Sequence, residues 1–212
     1  MQASKSIIIT CAGLGSRLGL NIPKCLLDFD GKPLIVRHLE MLKGISNIYI
    51  VVGYQAHLVI ETVRKIRDDV IFILNHEYLT TGNTHSLYCG SWFLNEYIVS
   101  LDGDLVIDKD DFFKLYNSNE EIIACTRPRT KDCVYCSVEE KNGMKFVTKF
   151  TKDPTAYEWS GLFQMHNRKI KNNHYFIYQA LEEHLPLKMI QVNSMDIDTP
   201  EDYELATSLY NK

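Results

Sequence analysis

The stretch IIITCAGLGSRLGLNIPKCLL, residues 7–27, decides the fold because an apolar run passes directly into a glycine-rich loop. Such a run is typical of a buried β-strand that delivers its loop to a phosphate group. Two familiar loops of this kind are excluded. A P-loop needs its lysine directly after the last glycine, but Lys24 is distant from Gly15 and is followed by Cys25. A dinucleotide fingerprint needs a third glycine where this chain has Leu18.

Composition indicates one globular domain. The chain has 212 residues, 45% of them apolar and 24% charged, which is enough to bury a substantial core and argues against disorder. A net charge of −4 provides no general attraction for nucleic acid or an anionic membrane. No apolar run reaches membrane-spanning length and no signal peptide is recognisable, so we expect a cytoplasmic protein without membrane or nucleic-acid partners. A lone CxxC at Cys133 and Cys136 is not expected to bind zinc.

The order of apolar runs predicts the architecture. Strands separated by helices indicate a parallel sheet covered on both faces, that is, a three-layer α/β/α Rossmann-like mixed sheet, mostly parallel. The predicted strands of the first half are 6–10, 48–53, 70–74 and 96–104, and its helices are 33–44, 55–66 and 84–94. The second half is predicted to contain strands at 121–127, 133–140, 145–150, 160–166 and 188–192, a helix at 175–184 and a terminal helix that starts at Pro200.

The residues of the opening stretch suit a phosphate ligand. Gly13 and Gly15 can expose backbone N–H groups, Arg17 adds a planar charged fork, and Lys24 adds a compact charge. Glycines alone would indicate only a tight turn, and either cation alone would indicate only a solvated surface charge. Their combination directly after a buried strand favours a phosphate site.

Two acidic pairs are candidate metal ligands. Asp102 and Asp104 end the fourth strand, and Asp196 and Asp198 alternate along an extended segment, so the last two point to the same side. Magnesium is usually shared between one or two carboxylates and substrate phosphates. The alternatives are ordinary: Asp102 could accept turn hydrogen bonds, and one of the later aspartates, or Thr199, could cap the terminal helix.

These motifs together resemble a known family. AGLGSRL, PKCLLDFDGKPLI, SLDGD and MDIDTPEDYELA are similar to the nucleotidyltransferase superfamily with a glycosyltransferase-A-like fold, nearest the phosphocholine and methylerythritol-phosphate cytidylyltransferase-type enzymes. The resemblance runs from Ile7 to about Leu209. Cys11 stands where alanine is commoner, a change between small residues. The chain is therefore expected to be one domain, 1–212, with a nucleotide-binding half (1–120) and an acceptor-binding half (121–212) that includes a C-terminal metal-binding segment.

The resemblance implies site residues and a reaction. It implies that Lys24 and Arg17 are catalytic, that Mg²⁺ binds at Asp104, Asp196 and Asp198, and that the nucleotide meets Ala12, Gly13, Leu14, Gly15, Ser16 and Asp102. An acceptor phosphate would attack the α-phosphorus of a nucleotide and release pyrophosphate. The nucleophile is already anionic, so alignment and charge neutralisation suffice. The product would be an activated precursor for surface polysaccharide or lipid.

The nucleotide is expected to be CTP, with UTP left open. The seven-residue step from Arg17 to Lys24 lacks the longer insert of many sugar-phosphate enzymes, and GNTHSLY resembles the phosphocholine branch. That likeness implies base contacts from Gly82, Asn83, Thr84 and Ser86. Alternatively, Asn83 or Thr84 only caps the helix that follows.

The acceptor is not settled by the sequence. Tyr135, Tyr157 and Trp159 are candidate walls that would suit a quaternary ammonium group, although aromatics at such spacings are often core residues. Arg127 and Arg129 could meet an acceptor phosphate or carboxylate, or lie on a solvated loop. A homodimer is possible by family analogy only.

Three other functions remain as alternatives. A sugar-1-phosphate nucleotidyltransferase using UTP or another nucleotide would need the same loop. A metal-dependent glycosyltransferase would also use an Asp-x-Asp motif, but Arg17 with Lys24 argues against it because that reaction needs no grip on a triphosphate. A non-catalytic nucleotide sensor is disfavoured because Lys24 and the carboxylates are all present.

Overall fold

The computed structural model describes residues 4–15, 19, 21–92, 94, 97–129 and 133–210. The strands in these ranges are β1 (Lys5–Cys11), β2 (Asp28–Phe29), β3 (Lys32–Pro33), β4 (Ile48–Val52), β5 (Ile71–Leu74), β6 (Tyr97–Asp102), β7 (Leu105–Ile107), β8 (Ile122–Thr126), β9 (Tyr135–Lys141), β10 (Met144–Thr151), β11 (Glu158–His166), β12 (Leu187–Gln191) and β13 (Ser194–Asp196). The helices are α1 (Leu34–Met41), α2 (Ala56–Arg64), α3 (Asn83–Ser91), α4 (Lys109–Tyr116), α5 (Ile177–Glu182) and α6 (Pro200–Tyr210).

Nine of these strands form one mixed sheet in the order β5-β4-β1-β6-β11-β8-β12-β10-β9. The four strands of the first half run parallel to one another. Strand β11 then enters antiparallel between β6 and β8, so both halves of the chain share one sheet. The predicted α/β/α mixed sheet is thereby confirmed, with its parallel part concentrated in the first half.

Strand β1 is apolar on both sides because it lies between two cores. Ile7 and Ile9 pack into the core beneath α1, α2 and α4, whereas Ile8 points to the opposite core beneath α3 and α5. Successive residues of a strand alternate between faces, so a continuous apolar run fits a strand covered on both sides. The run therefore fixes β1 in the centre of the parallel strands, and the loop after it emerges at their carboxyl edge.

Two features near that edge are absent from the sequence prediction. Helix α4 follows Asp108, whose side chain accepts hydrogen bonds from the N–H groups of Asp110 and Asp111. Strands β7 and β13 form a small antiparallel sheet that aligns Leu105 with Asp196. Strands of three residues carry too little periodicity to be recognised in a sequence. This small sheet brings the second acidic pair beside the first.

No helix in the described ranges combines the length and apolarity needed to cross a membrane. Cys133 and Cys136 are free thiols, as are the other four cysteines.

Candidate active site

The glycine loop and the distant lysine meet through Gly15. Its φ of +64° lies in the left-handed region, which favours glycine. A Cβ at this position would lie 2.9 Å from Cγ of Lys24 and 3.3 Å from the carbonyl oxygen of Ile22. Glycine is thus needed both for the turn and for the approach of Lys24. Ser16 and Arg17 lie outside the described residues.

A second turn supports this loop from the side. The N–H of Tyr54 donates to the carbonyl of Ala12 at 3.0 Å. A Cβ on Gly53 would lie 2.8 Å from both that carbonyl oxygen and Cβ of Tyr78. Close packing of these backbones holds the loop at the edge of the sheet.

A cavity of about 280 Å³ opens between the glycine loop and the start of α3. Eight of the predicted nucleotide contacts line it: Ala12, Gly13, Leu14, Gly15, Gly82, Asn83, Ser86 and Asp102. Thr84 differs from the expectation because its side chain is fully buried and does not line the cavity. Tyr78 and Thr81, which the sequence prediction omitted, also line it.

The hydroxyl of Ser86, which lines this cavity, is bonded to Asn75. Nδ2 of Asn75 donates to Oγ of Ser86 at 3.0 Å, and Oδ1 of Asn75 accepts from the N–H of Glu77 at 2.9 Å. Because Oγ already accepts from Asn75, its own proton is available to a ligand atom in the cavity. Asn75 follows β5 directly, so the rule that ligands lie beyond strand ends could have pointed to it.

Lys24 joins both acidic pairs. Its Nζ lies 3.0 Å from Oδ2 of Asp104 and forms a second, shorter ion pair with Oδ1 of Asp198. Burial acts to lower the pKa of Lys24, but the two carboxylates outweigh burial and raise that pKa above its usual value. The lysine therefore carries a permanent positive charge at the point where the chain's acidic segments meet.

Backbone hydrogen bonds hold Asp104 in place. The N–H of Gly103 donates to the carbonyl of Thr10 at 3.0 Å, and the N–H of Ile197 donates to the carbonyl of Asp104 at 3.2 Å. Nε2 of the buried His38 lies 2.7 Å from the carbonyl of Leu105, to which its N–H donates. These bonds fix the backbone that carries the carboxylate of Asp104.

Asp102 is enclosed by Thr10 and Gly161. Oγ1 of Thr10 donates to its Oδ1 at 2.6 Å. Burial and the nearby charge of Asp104 raise the pKa of Asp102 to about 7, and the hydrogen bond from Thr10 opposes that rise. Gly161 has a φ of +77°, and a Cβ there would lie 2.8 Å from Oδ2 of Asp102. Gly161 lies where the register between β11 and β8 shifts.

We expect Gly161→Ala to destabilise the protein more than Gly143→Ala. Both glycines have left-handed φ values, +77° and +74°, but a Cβ on Gly143 meets nothing within 4 Å. The control should lose about 1 kcal/mol of unfolding free energy from backbone strain alone. Crowding against Asp102 should cost Gly161→Ala about 1–3 kcal/mol more. Urea denaturation measures the unfolding free energy of both variants. Equal losses in the two variants would contradict a steric role for Gly161.

The alternatives for the C-terminal acidic pair are resolved by the start of α6. Oγ1 of Thr199 accepts from the N–H of Asp202 at 3.1 Å, and Oδ2 of Asp202 accepts from the N–H groups of Asp198 and Thr199 at 3.2 and 2.9 Å. This reciprocal pattern is a capping box. Helix capping therefore occupies the side chain of neither Asp196 nor Asp198.

The carboxylates suit a magnesium ion that substrate phosphates help to hold. Oδ1 of Asp196 is buried and has no hydrogen-bond partner in the described part of the chain. Burial and the charges of Asp104 and Asp102 raise the pKa of Asp196 well above its usual value. No group of three His, Cys, Asp or Glu side chains among the described residues could hold a metal alone. Magnesium needs only one or two carboxylates besides phosphate oxygens and water, so the donor set fits.

A larger cavity of about 890 Å³ adjoins the first and shares Lys24, Asn83, Asp102 and Asp104 with it. Its aromatic wall consists of Trp159, Phe176 and Tyr178. The rings of Phe176 and Tyr178 are stacked with centroids 5.8 Å apart, and Trp159 meets Tyr178 edge-on at 6.4 Å. Carboxylates from Glu158, Glu201 and Asp202 also line this cavity.

Two predicted acceptor aromatics lie elsewhere. Tyr135 and Tyr157 do not line the larger cavity. The hydroxyl of Tyr157 accepts from Nζ of Lys145 at 2.6 Å, and its ring packs against the core beneath α5. Only Trp159 of the three expected walls is in place. Strands alternate their side chains, and sequence spacing did not reveal which face of each strand meets the cavity.

The two predicted arginines also differ from the expectation that they meet an acceptor group. Arg127 is exposed and does not line the cavity. Arg129 lines it, but its guanidinium donates to Oδ1 of Asn193 at 2.6 Å and to the hydroxyl of Tyr210 at 2.8 Å. These bonds give Arg129 a structural role, because they fasten the segment after β12 and the end of α6.

Phe176 and Tyr178 were missed because they fall in a stretch with helical periodicity. The sequence prediction began this helix at residue 175, whereas α5 begins at Ile177. Three aromatics in four residues, YFIY, were the available signal. Exposed Tyr175 and Phe176 are unusual for a helix that only covers a sheet.

The chain belongs to the MobA-like NTP transferase domain family, whose model matches residues 7–181. The predicted resemblance to nucleotidyltransferases is therefore confirmed, and the chain is a member of a nucleotidyltransferase family. The matched region ends before Asp196 and Asp198.

Two of the curated relatives are cytidylyltransferases. The CTP:phosphoglutamine cytidylyltransferase of Campylobacter jejuni is 32% identical over 127 residues, covering 54% of this chain and 49% of that protein. The choline-phosphate cytidylyltransferase of Streptococcus pneumoniae is 33% identical over 125 residues, covering 53% and 54%. The chain spans about half or less of the length of the curated relatives it matches.

Solved structures share the fold over almost the whole chain. The inositol-1-phosphate CTP transferase of T. maritima superposes with a TM-score of 0.77 at 20% identity, covering 98% of this chain and 96% of that one. A putative glucose-1-phosphate thymidylyltransferase of Bacillus anthracis gives 0.81 at 16% identity, covering 97% and 95%. These likenesses establish the nucleotidyltransferase type of fold.

Proposed function

We propose that this protein is a Mg²⁺-dependent cytidylyltransferase that transfers CMP from CTP to a small phosphorylated acceptor with a cationic end, releasing pyrophosphate. The observation that carries the proposal is the pair of adjoining cavities that share Lys24 and Asp104. One cavity suits a nucleotide, the other suits an acceptor, and the shared residues lie where the two substrates would react.

The smaller cavity supports a pyrimidine nucleotide. The glycine loop can present backbone N–H groups to phosphates, and the hydroxyl proton of Ser86 can be donated to a base oxygen. The relatives whose names include CTP favour cytosine over uracil. A volume of about 280 Å³ favours the smaller pyrimidine base over a purine.

The larger cavity supports a cationic acceptor. Aromatic faces attract ammonium groups, and the acidic residues of the wall add negative charge. Apart from the four aspartates near Lys24, the carboxylate residues Glu158, Glu201 and Asp202 line this cavity. Together with the aromatic wall, they favour an acceptor such as a phosphorylated amino alcohol over one that is anionic throughout.

The chain's own residues would align and neutralise the reacting groups. Lys24 can neutralise charge on the triphosphate as pyrophosphate leaves, and Asp102 and Asp104 line both cavities at the same junction. Mg²⁺ held by Asp104 and Asp198, with Asp196 nearby, would add Lewis-acid charge on the phosphates. The acceptor phosphate needs no general base because it is already anionic.

The proposal is tested by a matrix of four nucleotides against several acceptors, scored by pyrophosphate release. The acceptors are phosphocholine, phosphoethanolamine, aminoethylphosphonate, phosphoamino acids, and sugar or polyol phosphates. We expect CTP with an ammonium-bearing acceptor to give the highest kcat/KM. No pyrophosphate with any pair would contradict the nucleotidyltransferase reaction in this chain.

A sugar-1-phosphate nucleotidyltransferase is the second candidate. The TM-score of 0.81 with a putative glucose-1-phosphate thymidylyltransferase favours it at the level of the fold. Sugar rings can also stack on aromatic side chains. Turnover of UTP or dTTP with a sugar phosphate, and none with ammonium-bearing acceptors, would select this candidate.

We expect Tyr178→Leu to weaken binding of the acceptor while leaving binding of the nucleotide unchanged. Loss of the ring removes a cation–π contact of about 0.5–2 kcal/mol, which raises the acceptor KM by about 2- to 30-fold. Tyr178→Phe keeps the ring and should stay near wild type. Steady-state kinetics with phosphocholine measures both variants, and similar KM values for the two would contradict an aromatic contact with the acceptor.

A further inference from the structure

The nucleotide loop is bonded directly to the segment that begins α5. Oδ1 of Asn83 accepts from the N–H of Ile177 at 3.1 Å, and the carbonyl of Tyr175 accepts from the N–H of Thr84 at 3.5 Å. A Cβ on Gly82 would lie 1.8 Å from the carbonyl oxygen of Tyr175. The two segments are therefore in close backbone contact, although they are more than ninety residues apart.

The two sides of this contact line the two substrate cavities. Gly82 and Asn83 line the smaller, nucleotide cavity, and Asn83 also lies where this cavity joins the larger one. Phe176 and Tyr178 belong to the aromatic wall of the larger cavity and flank Ile177, whose side chain is buried. The amide that Asn83 holds thus lies between the two aromatic residues that would contact the acceptor.

Asn83 does not serve its own helix. It is the first residue of α3, which has Gly82 at its N-cap and no side-chain hydrogen bond at that cap. Its carboxamide oxygen is used instead for Ile177, whose N–H would otherwise lack a helical partner. The predicted alternative, that Asn83 caps the helix following it, is therefore replaced by a long-range bond between the two cavities.

We propose that Asn83 is a positioning residue that couples nucleotide binding to the acceptor wall. This inference rests on the proposed function, because it concerns the same two cavities. A nucleotide packed against residues 82–83 restrains Asn83. Asn83 in turn restrains the backbone at Ile177, and this backbone holds Phe176 and Tyr178 in position for the acceptor. Coupling of binding free energies is reciprocal, so the acceptor should tighten nucleotide binding by the same factor.

Kinetics test the coupling with a matched pair of variants. At saturating CTP, Asn83→Ala should raise the KM for phosphocholine about two- to tenfold, the range for one hydrogen bond, while kcat changes less. Asn83→Asp keeps an oxygen for the Ile177 amide and should restore the acceptor KM. Equal acceptor KM values for wild type and Asn83→Ala would overturn the proposal.

Hydrogen exchange tests the same coupling without turnover. Binding of CTP to the wild type should slow exchange of the amides at 175–178, although none of these residues lines the nucleotide cavity. That slowing should disappear in Asn83→Ala and return in Asn83→Asp. Gly82→Ala provides a second variant: its φ of −85° is ordinary, so the substitution adds no backbone strain and its Cβ pushes the loop away from Tyr175. It should also remove the slowing.

The two proposals fail in different ways. If CTP slows exchange at 175–178 through Asn83 but no acceptor releases pyrophosphate, the proposed function is overturned and the coupling stands. If pyrophosphate is released but CTP slows exchange equally in wild type and Asn83→Ala, the coupling is overturned and the proposed function stands.

Discussion

Lys24→Ala is expected to lower kcat for pyrophosphate release by about a hundred- to a thousand-fold, the range for removing one preorganised charge at a reacting centre. Lys24 lines both cavities and contacts Asp104 and Asp198, so no other described side chain can replace its charge at their junction. Single-turnover assays with CTP and phosphocholine measure the loss directly.

The variant should remain folded. Removing Lys24 leaves two carboxylates facing each other, and added Mg²⁺ should offset their repulsion. Lys32→Ala is the matched control, since it removes a lysine from an ion pair with Glu40 whose side chains are about half exposed. Exposed pairs contribute little, so this control should keep wild-type turnover. A Lys24→Ala variant as active as the control would refute the assigned role.

Asp104→Ala should have an effect at least as large, a loss of about a thousand-fold or more. The substitution removes a candidate ligand of the metal and one of the two partners of Lys24. We therefore expect turnover to stay low at every Mg²⁺ concentration, and binding of Mg²⁺ in the presence of CTP to weaken. A titration of MgCl₂ followed by pyrophosphate release and calorimetry measures both effects.

Asp30→Ala is the control for that variant. Asp30 is more than half exposed and pairs only loosely with Arg37, at 3.7 Å, away from both cavities. It should leave the Mg²⁺ dependence unchanged. Asp104→Ala showing full activity at raised Mg²⁺ would mean that this carboxylate contributes affinity for the ion but nothing to the reaction.

Local residue chemistry made the part of the candidate site around the glycine loop predictable. Gly13 and Gly15 after β1, and the aspartates at the end of β6, could be identified because strand ends in a parallel sheet converge on one edge. Lys24 could be included because its spacing from the loop matched a known family. Each of these signals lies within a short segment of the sequence.

The wall of the larger cavity escaped prediction because its contacts are long-range. Arg129 was expected to meet the acceptor, yet its partners Asn193 and Tyr210 lie 64 and 81 residues further along the chain. The aromatic wall depends on where α5 begins, and helix boundaries are the least certain part of a sequence prediction. Side-chain pairing across such distances leaves no periodic pattern in the sequence.

The ion pair between Lys24 and Asp198 also bears on the order in which the molecule assembles. The two residues are 174 positions apart, whereas the contact of Gly15 with Lys24 closes a loop of nine. Short loops close early and distant contacts form late. During folding, the nucleotide loop can therefore form before the acidic segment around Asp198 reaches Lys24. We expect a refolding chain to gain nucleotide binding before it gains turnover.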